Sequence, residues 1–378
     1  MEIRVLLVGN YPPDHQTSMS AFVRMMENQL KVHGHQVGVV RPRAVFLPPW
    51  VKRPRGIWKW VGYVDKFLVF PVMLRRVSTQ YDVVHICDQA NALHTFWLRR
   101  QPTVVTCHDV IAIQAGRGMI PGWHVGPTGR VFQKLIYGGL QRASEIVCVS
   151  EHTRNDLLAL GRCGEQVSVA LTCLNADFHR IAASEASALV TKLGIASDRS
   201  YLLHVGSDDP RKNRLFLLQL MGYARALMPS HNWELILVGP PLSDDMHRLA
   251  EANHLSGSVH VLSDVTHETL LALYNRATAL VFPSTQEGFG MPVLEAQACG
   301  CPVFASNLPP MTEVGGSAAR YFDPHDPESA AKLLVESGSD LEEMRIAGLH
   351  NLERFSASGM ISAYLGAYSR ARVLAGGL

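Results

Sequence analysis

The chain has 378 residues, 47% of them hydrophobic and 18% charged, which is ample for buried cores and argues against disorder; at roughly 150 residues per domain the length suggests two or three domains, with two the starting point. The 35 Lys and Arg against 33 Asp and Glu give a net charge of +2, which excludes a whole-molecule field aimed at nucleic acid and leaves only local basic sites. The cysteines Cys87, Cys107, Cys148, Cys163, Cys173, Cys299 and Cys301 are odd in number and sit mostly in apolar runs, which suits reduced thiols in cytosol; Cys299 and Cys301, too close for a zinc half-site, read as small apolar fillers.

The first nine residues form a short strand pattern interrupted by Glu2 and Arg4, unlike the basic start and longer apolar region of a signal peptide, and predict no export by that route. Strands are predicted over Arg4–Val8, Gln36–Arg41, Asp82–Cys87, Thr103–Cys107 and Glu145–Val149, each followed by a helix-length stretch. The runs are nearly continuous in apolar residues, as parallel strands covered on both faces require. Between the second and third, Arg41 to Arg76 holds nine Lys or Arg against one acid, Asp65, with Trp50, Trp58, Trp60, Tyr63, Phe67 and Phe70 interleaved. Residues 44–76 read equally as a surface for an anionic membrane or an amphiphilic acceptor, and as a helix packed on the sheet with a solvated basic rim. Phe67–Leu74 is apolar but far short of the roughly 20 residues that cross a bilayer as a helix.

Val167–Leu171 leads through Asn175, Ala176 and Asp177 to a polar, small-residue stretch around Ser184–Ser187, the expected hinge. The rhythm then repeats, with strands over Leu202–Gly206, Glu234–Val238, Val259–Leu262, Ala279–Pro283 and Pro302–Ala305 and helices such as Leu215–Leu227 and His267–Arg276. The fold class is α/β: two Rossmann-like, doubly wound parallel-sheet domains facing across a crevice, with ligands expected outside the carboxyl ends of the strands.

The densest chemical signal is Glu287-Gly-Phe-Gly-Met-Pro-Val-Leu-Glu295, with Pro292 in the first turn of a short helix and Gly300 just past its end. Gly288 and Gly290, flanking Phe289, let backbone amides approach a phosphate or a sugar oxygen at the helix start. Glu295, a turn into the helix, would accept hydrogen bonds from a ribose diol, and Glu287, on the loop, from sugar hydroxyls. A helix cap plus an ordinary surface glutamate is the alternative for the two residues alone. In His204-Val-Gly-Ser-Asp-Asp-Pro-Arg-Lys-Asn213, a strand ends near Gly206 and the basic pair Arg211 and Lys212 opens a helix, a diphosphate site in which Arg suits bidentate bonding and Lys acts as a point charge; solvated charges at a helix start are the alternative.

These segments resemble the retaining glycosyltransferases of family 4, also called glycosyl transferases group 1, whose hallmark is two glutamates separated by seven residues around a glycine-rich interval. The resemblance extends to Ala-Leu-Val-Phe-Pro-Ser before that interval, to Gly-Cys-Pro-Val-Phe-Ala-Ser-Asn after it, and to Glu313-Val-Gly-Gly-Ser and Tyr321-Phe-Asp-Pro. It implies a GT-B fold with an acceptor-binding domain at 1–178, a nucleotide-sugar-binding domain at 179–357, and a last helix near Ser358–Leu374, within 358–378, that crosses back to the first domain. Leu237-Val-Gly239, and Val261 to Val265 before the helix with Tyr274, resemble the family's strand ends around the sugar nucleotide, and His108 its histidine beside the donor sugar. The pattern departs at Ser207, where some relatives carry a second phosphate arginine, and at Thr17-Ser18, where many carry a glycine pair.

The reading is a cytoplasmic, metal-independent enzyme, free or peripheral at the inner face of the membrane, that moves a hexosyl group with retention from a nucleoside-diphosphate sugar to an acceptor hydroxyl, lipid-linked or not. The nucleoside-diphosphate sugar is a co-substrate, and no further cofactor is expected. His108, Arg211, Lys212 and Glu287 are the candidate catalytic residues, and Gly206, Gly239, Val265, Gly288, Phe289, Gly290 and Glu295 the donor-binding ones. A non-catalytic sugar-nucleotide-binding subunit is the alternative; a phosphorylase would need a pyridoxal lysine and a much longer chain.

Overall fold

The computed structural model describes residues 2–51, 54–98, 100–162, 164–196 and 199–376. The chain divides into two compact units, Met1–Ala176 with Ser356–Leu378, and Asp177–Phe355.

The first unit is built on a six-stranded sheet of β1 (Arg4–Val8), β2 (Gln36–Val40), β3 (Val83–Ile86), β4 (Thr103–Cys107), β5 (Glu145–Cys148) and β6 (Val167–Val169), all parallel, in the order β2-β1-β3-β4-β5-β6. Alternate residues of β1 enter different cores. Val5 and Leu7 pack with Phe22, Met26, Ile361 and Tyr364, while Leu6 and Val8 pack with Phe70, Leu74, Ile136 and Leu140. Both faces are therefore covered, which is why the strand is apolar throughout; each fully buried side chain of this kind contributes about 1.5–3 kcal/mol.

The last helix, Ala357–Gly376, belongs to this unit. The buried Tyr364 hydroxyl shares a 2.9 Å hydrogen bond with the Thr106 hydroxyl, that of Tyr368 lies 2.8 Å from His85 Nδ1, and the Arg370 guanidinium meets both Glu145 carboxylate oxygens at 3.1 Å. Residues 44–76 contain two helices, Ile57–Val64 and Phe70–Ser78, joined by a π-helical turn over Asp65–Val69; Lys52 and Arg53 lie outside the described residues. Asp65 is fully buried, accepting from the Tyr11 hydroxyl at 2.9 Å and the Phe46 amide at 3.0 Å. The opposite face exposes Ile57, Trp60, Val64, Leu68 and Val72. Among the described residues no helix is long and apolar enough to cross a membrane.

The second unit carries β7 (Ser200–Val205), β8 (Trp233–Val238), β9 (Val259–Leu262), β10 (Ala279–Phe282), β11 (Val303–Ser306) and β12 (Ala319–Phe322), again all parallel, in the order β12-β11-β10-β7-β8-β9. Two expectations need correction. The stretch Ser184–Ser187, expected as the hinge, lies inside a helix, Ala183–Thr191, because Ala186 and Val190 fall one turn apart and bury one face. The strand β12 also escapes the run of predicted strands, since Arg320 and Tyr321 between Ala319 and Phe322 break the apolar pattern. The described cysteines are all buried and none forms a disulfide, and burial pushes the Cys301 thiol up to about 12; Cys163 lies outside the described residues.

Candidate active site

In the second sheet the strand order reverses between β7 and β10, and a doubly wound sheet takes its ligand at the carboxyl ends of the strands at such a switch point. After β7 comes Gly206, whose amide donates to the Val238 carbonyl at 3.0 Å. Gly239, after β8, has φ +155°, and a Cβ there would stand 2.1 Å from the Gly206 carbonyl oxygen, so only glycine permits this approach of two backbones.

The loop after β7 then forms a single 3₁₀ turn, Pro210–Lys212, capped by Asp209, which accepts from the Arg211 amide at 3.1 Å. Asn213 takes a left-handed φ of 53° and ties this turn to the neighbouring loops, donating to the Pro283 and Pro324 carbonyls. The Thr285 amide donates to the Arg211 carbonyl at 2.8 Å, so the loops after β7 and β10 are held together by backbone.

That coupling brings the predicted basic pair to the predicted glutamate. Arg211 Nη1 donates to Glu287 Oε2 at 2.9 Å and to the Gln286 carbonyl at 3.0 Å, its Nε reaches Asp209 at 3.2 Å, and Lys212 Nζ pairs with Glu287 Oε1. Lys212 also stands 5.3 Å above the Phe282 ring. Glu287 is 8% exposed. Sequence reasoning treated Glu287 and the two cations as separate partners of a ligand; here both oxygens of the carboxylate are engaged by the cations themselves.

Gly290, at φ +95°, caps the helix Met291–Ala298, which has Pro292 in its first turn, and Phe289 is buried edge-on against Phe355 at 5.9 Å. One turn in, Glu295 accepts a 2.8 Å hydrogen bond from the Tyr274 hydroxyl. Burial pushes its carboxyl up to about 7, against the opposing effect of that hydrogen bond. Val265 is half-buried immediately before Thr266, whose hydroxyl caps the helix His267–Arg276 through the Thr269 amide at 3.2 Å.

His108 lies in the first unit, directly after β4. Its Nε2–H donates to the Cys87 carbonyl at 2.9 Å, its amide donates to the Gln89 side chain at 2.9 Å, and Phe22 meets its ring edge-on at 4.8 Å, so the imidazole is held in one orientation. Thr17 and Ser18 open the helix Thr17–Val32. Among the described residues no group of three His, Cys, Asp or Glu side chains is arranged to hold a metal ion.

Two side chains near this site were not singled out from sequence. His204, fully buried on β7, faces the Val281 carbonyl through Nδ1 at 3.1 Å, while its Nε2 has no partner among the described residues. Arg214 opens the helix Arg214–Leu227 and is 6% exposed; among the described residues only its Nη2 has an acceptor, the Pro240 carbonyl at 2.9 Å. A signal for it exists in the sequence: Arg214, Leu217, Leu218 and Met221 fall at i, i+3, i+4 and i+7, so a charge begins the stripe that packs inward.

Comparison with known proteins bears on the family and the fold. Residues 187–345 match the family model described as glycosyl transferases group 1, and residues 19–178 match glycosyltransferase family 4. O-antigen chain mannosyltransferase B of Escherichia coli is 30% identical over 284 residues, covering 71% of each chain. Serotype-specific mannosyltransferase WbdA of the same species is 27% identical over 267 residues, 67% of this chain but 32% of that longer protein. Among solved structures, Anabaena HepE in complex with UDP and glucose superimposes with a TM-score of 0.73 over 97% of this chain and 100% of that one at 16% identity. Sucrose-phosphate synthase of Thermosynechococcus elongatus gives 0.71 over 94% of each chain at 19% identity. The chain belongs to the group 1 glycosyltransferases of family 4 and has the two-domain, Rossmann-like GT-B fold.

Proposed function

We propose that this glycosyltransferase transfers a hexosyl group from a nucleoside-diphosphate sugar to an acceptor hydroxyl with retention at the anomeric carbon, residues 179–357 holding the donor and 1–178 the acceptor. The observation that carries the reading is the convergence of Arg211 and Lys212 on Glu287 at the point where the second sheet reverses its strand order. A diphosphate leaving group develops negative charge as the anomeric carbon–oxygen bond breaks. Two fixed cations and the backbone amides of the loop at Gly288 and Gly290 are suited to stabilise it without a metal ion. In the retaining step the acceptor oxygen bonds to the anomeric carbon on the face the diphosphate leaves, and the acceptor proton passes to the departing phosphate oxygen.

In this account Glu287 fixes the two cations and orients the transferring sugar, Glu295 binds the ribose, Val265 and Gly239 border the nucleoside, Phe289 supports the glycine loop, and His108 is a sugar-binding residue of the first domain. HepE, solved with UDP and glucose, supports a nucleotide-sugar partner, and the O-antigen mannosyltransferases support a place in polysaccharide or glycoconjugate synthesis. For residues 44–76 we propose contact with the inner face of an anionic membrane, supported by the exposed stripe Ile57, Trp60, Val64, Leu68 and Val72 and the basic side chains around it.

A panel of nucleoside-diphosphate sugars tests the proposal, read by thermal stabilisation and slow donor hydrolysis. One donor should stabilise the protein and turn over. Stabilisation with no hydrolysis or transfer supports instead a non-catalytic sugar-nucleotide-binding subunit, and no stabilisation by any donor overturns both.

A further inference from the structure

A guanidinium removed from water ordinarily ends on a carboxylate or has its donors satisfied by carbonyls. Arg214 departs from this. It is 6% exposed, it makes no ion pair among the described residues, and its Nε and Nη1 are buried without an acceptor. Arg211 and Lys212, by contrast, share the Glu287 carboxylate, and Arg211 also meets Asp209.

The position of Arg214 is specific. Its Nη2 donates to Pro240, next to Gly239, whose backbone lies against the Gly206 carbonyl; these are the carboxyl ends of β7 and β8. A Cβ on Gly206 would stand 2.8 Å from His204 Nε2 and 3.6 Å from Lys212 Cδ, so His204 and Lys212 both lie against the root of this loop. Burial lowers the pKa of Arg214, with Asp208 opposing it, yet a guanidinium keeps its proton at neutral pH. The result is a charged side chain with two spare donors at the strand ends where a doubly wound sheet takes its ligand.

We propose that Arg214 is a donor-binding residue whose free N–H groups meet the diphosphate oxygens of the nucleotide, with the exposed Ser207 and Asp208 forming the layer that shifts to admit them. This rests on the nucleotide-sugar reading above. The contact needs no protein ion pair to break, so it contributes to binding the diphosphate in the free nucleotide as well as in the reacting sugar.

The test compares wild type, Arg214→Leu, Arg214→Lys and Lys212→Ala. Affinities for UDP and GDP are measured by calorimetry, and those for uridine and guanosine by ligand-observed NMR, which reads millimolar binding. With the nucleotide that wild type prefers, Arg214→Leu should weaken the diphosphate tenfold or more and leave the matching nucleoside within twofold. Its unliganded Tm should not fall, because a buried unpaired charge has been removed. If the leucine variant does not fold, Arg214→Lys carries the test, with a loss of threefold or more confined to the diphosphate. Equal losses for nucleoside and diphosphate would make Arg214 a prop for the Pro240 loop and overturn the proposal. An unchanged diphosphate affinity, with Lys212→Ala still weakened, overturns Arg214 alone; wild type binding neither UDP nor GDP overturns the reading of the site with it.

Discussion

The Lys212 ammonium is paired with the Glu287 carboxylate although 75 positions separate them, and Arg211 ends on the second oxygen of the same group at 2.9 Å. Removing one partner of a buried ion pair typically costs about 3–5 kcal/mol, because the other is left uncompensated. Here the carboxylate has two cations, so its loss leaves Arg211 on Asp209 and deprives Lys212 of this partner. On the proposed function, an incoming diphosphate competes with Glu287 for these two cations.

Glu287 and Glu295 should consequently fail in different ways. Glu287→Gln should lower kcat by about 10²-fold, because the cations and the sugar lose their common orienting group, while affinity for free nucleoside diphosphate should not fall. Glu295→Gln should act mainly through donor KM and should weaken the free diphosphate, since ribose contacts are similar in ground and transition states. Steady-state kinetics with calorimetry reads both; the opposite ranking would show the two roles exchanged.

Glu295 also makes a prediction about pH. Burial holds its folded pKa near 7 against an ordinary 4.5, so between those values the folded chain keeps a proton that the unfolded chain has lost. Its contribution is fully present below about 4.5 and is lost as pH rises through 7, by at most about 3 kcal/mol. Glu295→Gln stays neutral throughout, so its Tm relative to wild type should climb from pH 5 to pH 8. A difference that stays flat over that range would contradict the assigned burial.

If Arg211, Lys212 and backbone amides stabilise the leaving diphosphate, activity should survive a chelator nearly intact. Assays with and without EDTA decide this. Complete loss, restored by Mg²⁺ or Mn²⁺, would assign the charge to a metal ion instead.

The strands were legible because parallel strands buried on both faces leave little choice of residue: Thr103–Cys107 and Val259–Leu262 match the expectation at both ends. The helix Ala183–Thr191 was not, because alanines and serines serve a linker and a helix equally until Ala186 and Val190 find something to bury against. In the site, the glycines and charges announced themselves by type and spacing. The mutual pairing of Lys212, Arg211 and Glu287 did not, since it depends on the Thr285 amide joining two loops that only the sheet brings together. Arg214 was readable as a charge on an inward stripe, but its missing partners are a property of the packed structure.

The central claim, that Lys212 serves the leaving diphosphate, is tested most directly by Lys212→Ala with the donor sugar that wild type turns over, after circular dichroism shows the variant folded. Loss of one transition-state charge stabiliser should cut kcat/KM by roughly 10²-fold or more. A fall of less than threefold would contradict the assignment and leave the Lys212–Glu287 pair as a structural feature of the loop.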